Sequence, residues 1–213
     1  ISIGGDGTVL YSARMLCCTR VPILAVRMGD FGFITEIGEH EWQQAFEAYR
    51  AGVLGISKRL LLRTTVTRDG EQICSHLGLN DAVVGSAGIS KVVRLHVTLG
   101  STALGRYRAD GIITATPTGS TAYSAAAGGP ILDPQMDALI VNPICPFTLS
   151  NRPLVIPGNE HVRILVEEEQ RAELMLTVDG QLVVPLQPGD VIHIERAPEK
   201  AAIILSDKRN FYE

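Results

Sequence analysis

A carboxylate set among glycines, Gly4-Gly5-Asp6-Gly7-Thr8, is the part of this chain with the most chemical content. Ile1-Ser2-Ile3 before it reads as the end of a buried strand, and Val9 to Leu16 after it reads as a helix. A strand, a glycine turn and a helix start together make an anion site. Backbone N–H groups and the positive end of the helix dipole face the ligand, and the glycines put no Cβ between backbone and phosphate. Asp6 would repel a phosphate unless it holds a metal ion or accepts a proton from a hydroxyl. Both tasks belong to phosphoryl transfer. No Lys-Ser/Thr pair follows the glycines, so this is not a P-loop, nor is it G-x-G-x-x-G. The plainer reading makes Asp6 a helix cap, but three glycines exceed what a cap needs.

A second dense stretch runs from Asp110 to Ser124. A strand enters a hydroxyl-rich turn, Thr118-Gly119-Ser120-Thr121, and a helix of small residues is expected over 120–127, ended by Gly128-Gly129-Pro130. Small residues admit a ligand close to the helix, and hydroxyls and N–H groups at its start can bind polar atoms. The bland alternative is a capped helix packed tightly on a sheet. Arg106, Arg108 and Asp110 lie just upstream and are expected to enter the same cleft.

Around these residues the elements change period. Residues 1–57 read as α/β: a short buried strand at Val21 to Val26, a glycine turn from Gly29 to Phe33, and an amphipathic helix from Glu39 to Ala51 with Trp42, Ala45, Phe46 and Tyr49 on one face. From Lys58 the apolar period becomes two. Strands are expected at 60–67, 72–76, 82–84, 92–98, 112–116, 162–166, 174–178, 182–184, 191–195 and 201–205, with hairpin turns at Asp69-Gly70 and Asp179-Gly180. The expected architecture is an α/β N-terminal domain, truncated at its start, followed over 58–198 by a mostly-β, sandwich-like domain. A tail from about 199 to 213 packs back on the first domain.

Composition narrows the class. The chain has 213 residues, 46% hydrophobic and 20% charged, which is globular. Its net charge of −4, from 19 basic and 23 acidic residues without a basic run, argues against nucleic acid as the main partner. No apolar run approaches the ~18 residues of a membrane span. Cys17, Cys18, Cys74 and Cys145 show no C-x-x-C spacing, so zinc is not expected, and buried reduced thiols in a cytoplasmic protein are.

The glycine loop, Asn80-Asp81, the 110–130 run, Ile144-Cys145-Pro146, Leu149 to Val155 and Val178-Asp179-Gly180-Gln181 occur in an order that resembles the bacterial-type NAD kinase family over essentially the whole chain. The resemblance implies phosphorylation of NAD by ATP with a divalent cation, Mg²⁺ first among them, and no protein metal site. It makes Asp6 the proton acceptor with Gly7 beside it at the substrate, and Gly4, Gly5 and Thr8 the holders of the ATP phosphates. Asn80-Asp81 matches the pair that holds the adenosine ribose; a carboxylate and an amide each accept hydroxyl hydrogens from a diol. Lys91 matches a basic residue of the NAD site, and Arg108 with Asp110 a pair near the nicotinamide end. Thr121, Ala122, Tyr123, Ser124, Ala125 and Ala126 match the segment that lines NAD, with Tyr123 against the ligand. Phe33 matches an aromatic position beside the adenine, against the alternative of a core residue. Gln181 matches the polar residue after the Asp-Gly turn, whose Asp179 is most simply a hairpin residue.

Ala126 stands where the family often has Ser, and Phe147 where it often has His; neither touches the reacting hydroxyl. The family also has a strand and helix before the glycine loop, so the chain is expected to be part of a longer protein. The resemblance further implies a homotetramer or homodimer. Two rivals stay open: a lipid kinase with the same glycine loop, and a non-catalytic NAD-binding module.

Overall fold

A computed structural model describes residues 1–29, 32–88, 92–148 and 151–206. The chain divides into two compact units, Ile1–Leu60 with the chain from Glu199 onward, and Leu61–Pro198.

In the first unit, β1 (Ser2–Gly4) runs parallel to β2 (Ala25–Arg27), and β2 runs parallel to β3 (Ile37–Gly38). Helix α1 (Asp6–Leu16) buries Val9, Leu10 and Ala13. Helix α2 (Trp42–Arg50) begins three residues later than its apolar pattern suggests, because Glu41 turns back to accept the Gly38 N–H through Oε2 at 3.2 Å. It lays Trp42, Ala45, Phe46, Ala48 and Tyr49 on Leu24, Val26, Ile37, Leu54 and Ile204. Each fully buried aliphatic side chain of such a cluster stabilises by about 1.5–3 kcal/mol. Ile23 and Ile203 form a parallel bridge that fastens the returning chain.

The strands of the second unit are β4 (Ile56–Arg68, its first five residues belonging to the first unit), β5 (Glu71–Gly78), β6 (Asp81–Ser86), β7 (Val93–Leu99), β8 (Thr102–Ala109), β9 (Gly111–Ala115), β10 (Ala138–Ile144), β11 (Leu154–Pro157), β12 (Val162–Val166), β13 (Leu174–Val178), β14 (Leu182–Leu186) and β15 (Val191–Ile204, its residues from Glu199 belonging to the first unit). Among the described residues these make two six-stranded sheets, in the orders β11-β10-β9-β6-β13-β14 and β5-β4-β15-β12-β7-β8. Val97, Ile164 and Ile192 sit opposite one another across the second sheet, all fully buried. Leu176, Val84 and Ile112 do the same across the first. These apolar faces form the sandwich interior. The other face of the first sheet, with Val83, Ile113, Ala115 and Ile140, is covered by Leu132 and Ala127 of the segment after β9.

Several sequence expectations need correction. Strands β8, β10 and β11 were not anticipated. β10 carries Pro143 and no alternation, because it is buried on both faces. It tolerates the proline because β11 pairs only with Ala138 to Val141 and leaves Pro143 uncovered on that side. The two strands expected at 191–195 and 201–205 are one strand, β15; β12 pairs only with its first part, Val191 to Ile194. The expected 120–127 helix is a 3₁₀ turn over Thr118–Thr121 and then a single turn, α3 (Tyr123–Ala126). The strand expected at 60–67 starts earlier, at Ile56, so that Lys58 and Arg59 lie in β4. All four cysteines are free, but only Cys17 is buried, while Cys18 and Cys145 are exposed.

One half-buried ion pair locks the second unit. Asp190 is fully buried, and both its oxygens receive the Arg68 guanidinium, at 2.8 and 2.9 Å, with the Gln187 N–H adding 2.8 Å. Burial alone would raise its pKa; the Arg68 hydrogen bonds, the Gln187 amide and the Arg68 charge override this and hold it below the ordinary value.

Candidate active site

The glycine loop joins β1 to α1 in the first unit. Gly4 has φ +154°, and a Cβ there would run into the Thr8 side chain, so the sequence has no choice but glycine at that turn. Gly5 is the N-cap residue and supplies no side-chain cap. Asp6 opens the helix and does not cap it, which corrects the plainer reading. Its carboxylate reaches 27 to 29 residues along the chain: Oδ2 accepts the Phe33 N–H at 2.8 Å, and Oδ1 accepts the N–H groups of Ile34 and Thr35 at 3.2 and 3.1 Å and the Thr35 hydroxyl at 3.0 Å. Four donors fix the orientation of the carboxylate. Among the described residues Oδ2 accepts one hydrogen bond against three on Oδ1, so Oδ2 is the oxygen better placed to accept a substrate proton. Gly5, Gly7 and Thr8 are exposed beside it. Phe33 is 54% exposed, so it is not the core residue of the alternative reading.

In the second unit, Asn80 and Asp81 sit where the loop after β5 enters β6. Asp81 is buried, and its pKa is raised from 3.8 to about 7, by burial first and by the nearby Asp179 charge second. Asn80 Oδ1 is buried without a hydrogen-bond partner among the described residues, an acceptor able to take a hydroxyl hydrogen. The backbone around the pair is tightly held: the Thr116 N–H donates to Asn80 O at 2.8 Å, the Thr116 hydroxyl donates to Leu79 O at 2.6 Å, and Thr116 Oγ1 accepts the Gly119 N–H at 3.0 Å. A Cβ on Gly119 would overlap the Asn80 carbonyl.

The Ser120 side of the hydroxyl-rich turn is spent on the protein itself. The Ser120 hydroxyl donates to Pro117 O at 2.6 Å and accepts the Leu132 N–H at 3.0 Å, and the Ser120 and Ala122 N–H groups go to Pro117 O and Gly119 O. Thr118 Oγ1, by contrast, is buried with no hydrogen-bond partner among the described residues, so the turn keeps one hydroxyl not committed to the protein. Ser124, expected to line NAD, is fully buried; Asn142 Nδ2 donates to its carbonyl at 3.0 Å and approaches its hydroxyl at 3.4 Å. Thr121, Ala122 and Ala125 are partly exposed, and Tyr123 and Ala126 are exposed. Tyr123 and Asp110 share a cleft of about 260 Å³ with Gly85, Met175 and Thr177. Arg108 does not join them. It lines another cleft, of about 540 Å³, with Arg94 and Glu169, and its guanidinium lies 5.5 Å from the centre of the Phe147 ring. Asp110 lies past the end of β8, in the link to β9, so the two-residue spacing that keeps both side chains on one face within a strand does not hold across it. Gln181 is exposed at the β13–β14 turn. Lys91 lies outside the described residues, as do Leu149 and Ser150.

Sequence reasoning missed Asn142, Thr116 and the reach of Asp179. An Asn inside the apolar run Ile140-Val141-Asn142-Pro143 was the available signal for the first; the other two carry none that a linear reading can use.

Both units match the same class of phosphotransferase. Residues 1–53 match the family described as ATP-NAD kinase N-terminal domain, and residues 79–206 the ATP-NAD kinase C-terminal domain. The chain is 42% identical to an NAD kinase of Treponema denticola, over all of this chain and 75% of that protein, and 46% identical to one of Treponema pallidum, over all of this chain and 70% of that protein. Among solved structures it resembles yeast NADH kinase complexed with NADH (TM-score 0.86, 31% identity, 96% of this chain and 60% of that one). It also resembles an NAD kinase from Archaeoglobus fulgidus in complex with ATP (TM-score 0.80, 26% identity, 97% and 77%). The chain belongs to the NAD kinase family.

Proposed function

We propose that this chain transfers the γ-phosphoryl group of ATP to the adenosine 2′-hydroxyl of NAD, with Asp6 as general base. The 2′-oxygen attacks the γ-phosphorus, its proton passes to Asp6 Oδ2, and the bond from γ-phosphorus to the β–γ bridging oxygen breaks to release ADP. The observation that carries this reading is the Asp6 carboxylate, fixed by four donors in a glycine loop, in a chain that matches NAD kinase domains at both ends. Gly4, Gly5 and Thr8 take the ATP phosphates. Asn80 and Asp81 accept hydroxyl hydrogens of the adenosine ribose, with Gly7, Phe33, Lys91, Asp110, Tyr123 and the small residues beside Tyr123 completing the NAD contacts.

No group of three or more His, Cys, Asp or Glu able to hold a metal ion occurs among the described residues. On this reading a divalent cation, Mg²⁺ in the first instance, enters with ATP, held mainly by its phosphates. Among the described residues no helix is long and apolar enough to cross a membrane. A cytoplasmic enzyme assembled as a tetramer or dimer fits this reading, with exposed Leu154 and Val155 on β11 and Val183 on β14 as apolar surface for a second copy. Light scattering at micromolar protein is expected to give the mass of an oligomer; a monomer overturns that part.

The deciding assay is purified protein with ATP, Mg²⁺ and NAD, followed for NADP by an NADP-specific dehydrogenase. NADP formation is expected. Its absence, with phosphate appearing on a lipid acceptor instead, would overturn the assignment in favour of the lipid kinase.

A further inference from the structure

Asp179 occupies the first position of the β13–β14 hairpin turn with φ +54°, followed by Gly180 at φ +62°. A turn of this kind explains why the sequence has Asp-Gly there. It does not explain where the carboxylate goes. Asp179 is only 7% exposed, and its side chain reaches back about a hundred residues. Oδ2 accepts the Leu79 N–H at 3.0 Å, and Oδ1 accepts the Asn80 N–H at 2.7 Å and the Asp81 N–H at 3.3 Å. The Asp179 N–H in turn donates to Asp81 O at 2.9 Å. Three consecutive amides are thus gathered on one carboxylate, and the backbone of Leu79 to Asp81 is closed from the other side by Thr116. Gly78 is shaped to this arrangement: a Cβ there would press on Val178 at 2.7 Å and on Asp179 Oδ1 at 3.1 Å.

The chemistry makes this costly to assemble for a turn alone. Burying a carboxylate is expensive, and burying it next to a second buried carboxyl is more so. The three charge-assisted N–H bonds offset that cost only because they all point at one place, the backbone that sets the directions of the Asn80 and Asp81 side chains. Any rotation of that backbone would move the unpartnered Asn80 oxygen and the Asp81 carboxyl together.

Resting on the reading that Asn80 and Asp81 hold the NAD ribose, we propose that Asp179 is a positioning residue for NAD: it fixes the backbone of 79–81 so that the acceptor pair meets the two ribose hydroxyls. It touches no reacting atom. Its effect belongs in NAD affinity and not in the chemical step.

The turn itself offers the discriminating variants. Asn and Gly both accept positive φ as well as Asp does or better. A residue serving only the turn is therefore indifferent to D179N and D179G. A positioning residue is graded: Asn keeps one acceptor oxygen for the Asn80 and Asp81 amides and loses the Leu79 bond, whereas Gly loses all three. The expected result in the whole protein is a rise in KM for NAD of about threefold to tenfold for D179N and more than tenfold for D179G. The KM for ATP and the kcat at saturating NAD stay within about twofold. Amide hydrogen exchange at 79–81, measured without substrates, accelerates in the same order. Unchanged exchange and unchanged KM in both variants overturn the role, as does an equal loss toward NAD and ATP. If D179G fails to fold, D179N decides on the same criteria. D81A separates the two layers of the reading. Should D81A raise the KM for NAD while D179G leaves it unchanged, the positioning role alone is lost. Should neither raise it, the ribose reading is lost with it.

Discussion

Asp6 and Asp179 each gather three consecutive backbone N–H groups from a distant stretch, Phe33 to Thr35 in the first unit and Leu79 to Asp81 in the second. Their surroundings differ. Asp6 is partly exposed at the start of a helix, beside Gly5, around which the structure is open. Asp179 is buried in a hairpin turn with a second carboxyl nearby. The same hydrogen-bond task therefore leaves different chemistry over. An anchored carboxylate with solvent access can also take a proton from a substrate; an anchored carboxylate without it can only hold backbone. Asp190 is the third case, a buried carboxylate whose charge is matched by Arg68. Exposure, and not the number of donors, sorts these acids into chemical and structural roles.

That contrast breaks most directly at Asp6. Asp6→Asn keeps the shape and an acceptor for the Ile34 and Thr35 amides, gives up the Phe33 bond and removes the base, so kcat is expected to fall about 10²- to 10⁴-fold, with NAD binding changed much less. A kcat near wild type in steady-state assays would show that Asp6 is an anchor only. Asp190→Ala is the opposite case. It empties a fully buried site and leaves the partly exposed Arg68 guanidinium to water, and it is expected to lower stability in urea unfolding, with no specific change in either substrate's KM. A loss below about 1 kcal/mol would mean that burial does not make an acid structural in this fold.

Asp81 tests burial through pH. Its folded pKa of about 7 lies above the unfolded value of 3.8. The stability this group contributes is fully present below 3.8 and is lost as pH rises toward 7, at roughly 1.4 kcal/mol per pH unit. Asp81→Asn is free of that loss. It is expected to be more stable than wild type at pH 7.5, by up to about 4 kcal/mol, and equal to it near pH 4; thermal melts at both values check this, and parallel pH curves would contradict the raised pKa. Smallest of the set, Asp81→Ala is expected to weaken NAD by about 1.5–3 kcal/mol while ATP affinity stays put. Calorimetry showing NAD binding unaltered would leave Asn80-Asp81 as a strand entry and nothing more.

Much of this was legible from residue order. The glycine loop between a strand and a helix, the apolar face of α2 and the two Asp-Gly hairpins, with φ +52° and +82° at Asp69-Gly70, follow from local rules of spacing and backbone freedom. Strands buried on one face, such as β7 and β12, announce themselves by alternation. β10 does not, since a strand buried on both faces has no period to show. Nor does the inward turn of Ser124, which depends on Asn142, eighteen residues away.

The sequence by itself determined which atoms could act: a carboxylate in a glycine turn, an amide and a carboxyl side by side, a tyrosine among small residues. Those are properties of residue type and near neighbours, and they point to phosphoryl transfer; that the acceptor is a nucleotide came from the resemblance of the motif order to the NAD kinase family. Only the tertiary structure decided which of them are left over to act. Hydroxyls at 116, 120 and 124 turned out to be engaged inside the protein, Arg108 and Asp110 turned to different clefts, and Asp179 reached across about a hundred residues to the 79–81 backbone. The reason is physical: a polar group's availability depends on whether a partner has already satisfied it, and in a β sandwich that partner comes from a strand far away in the chain.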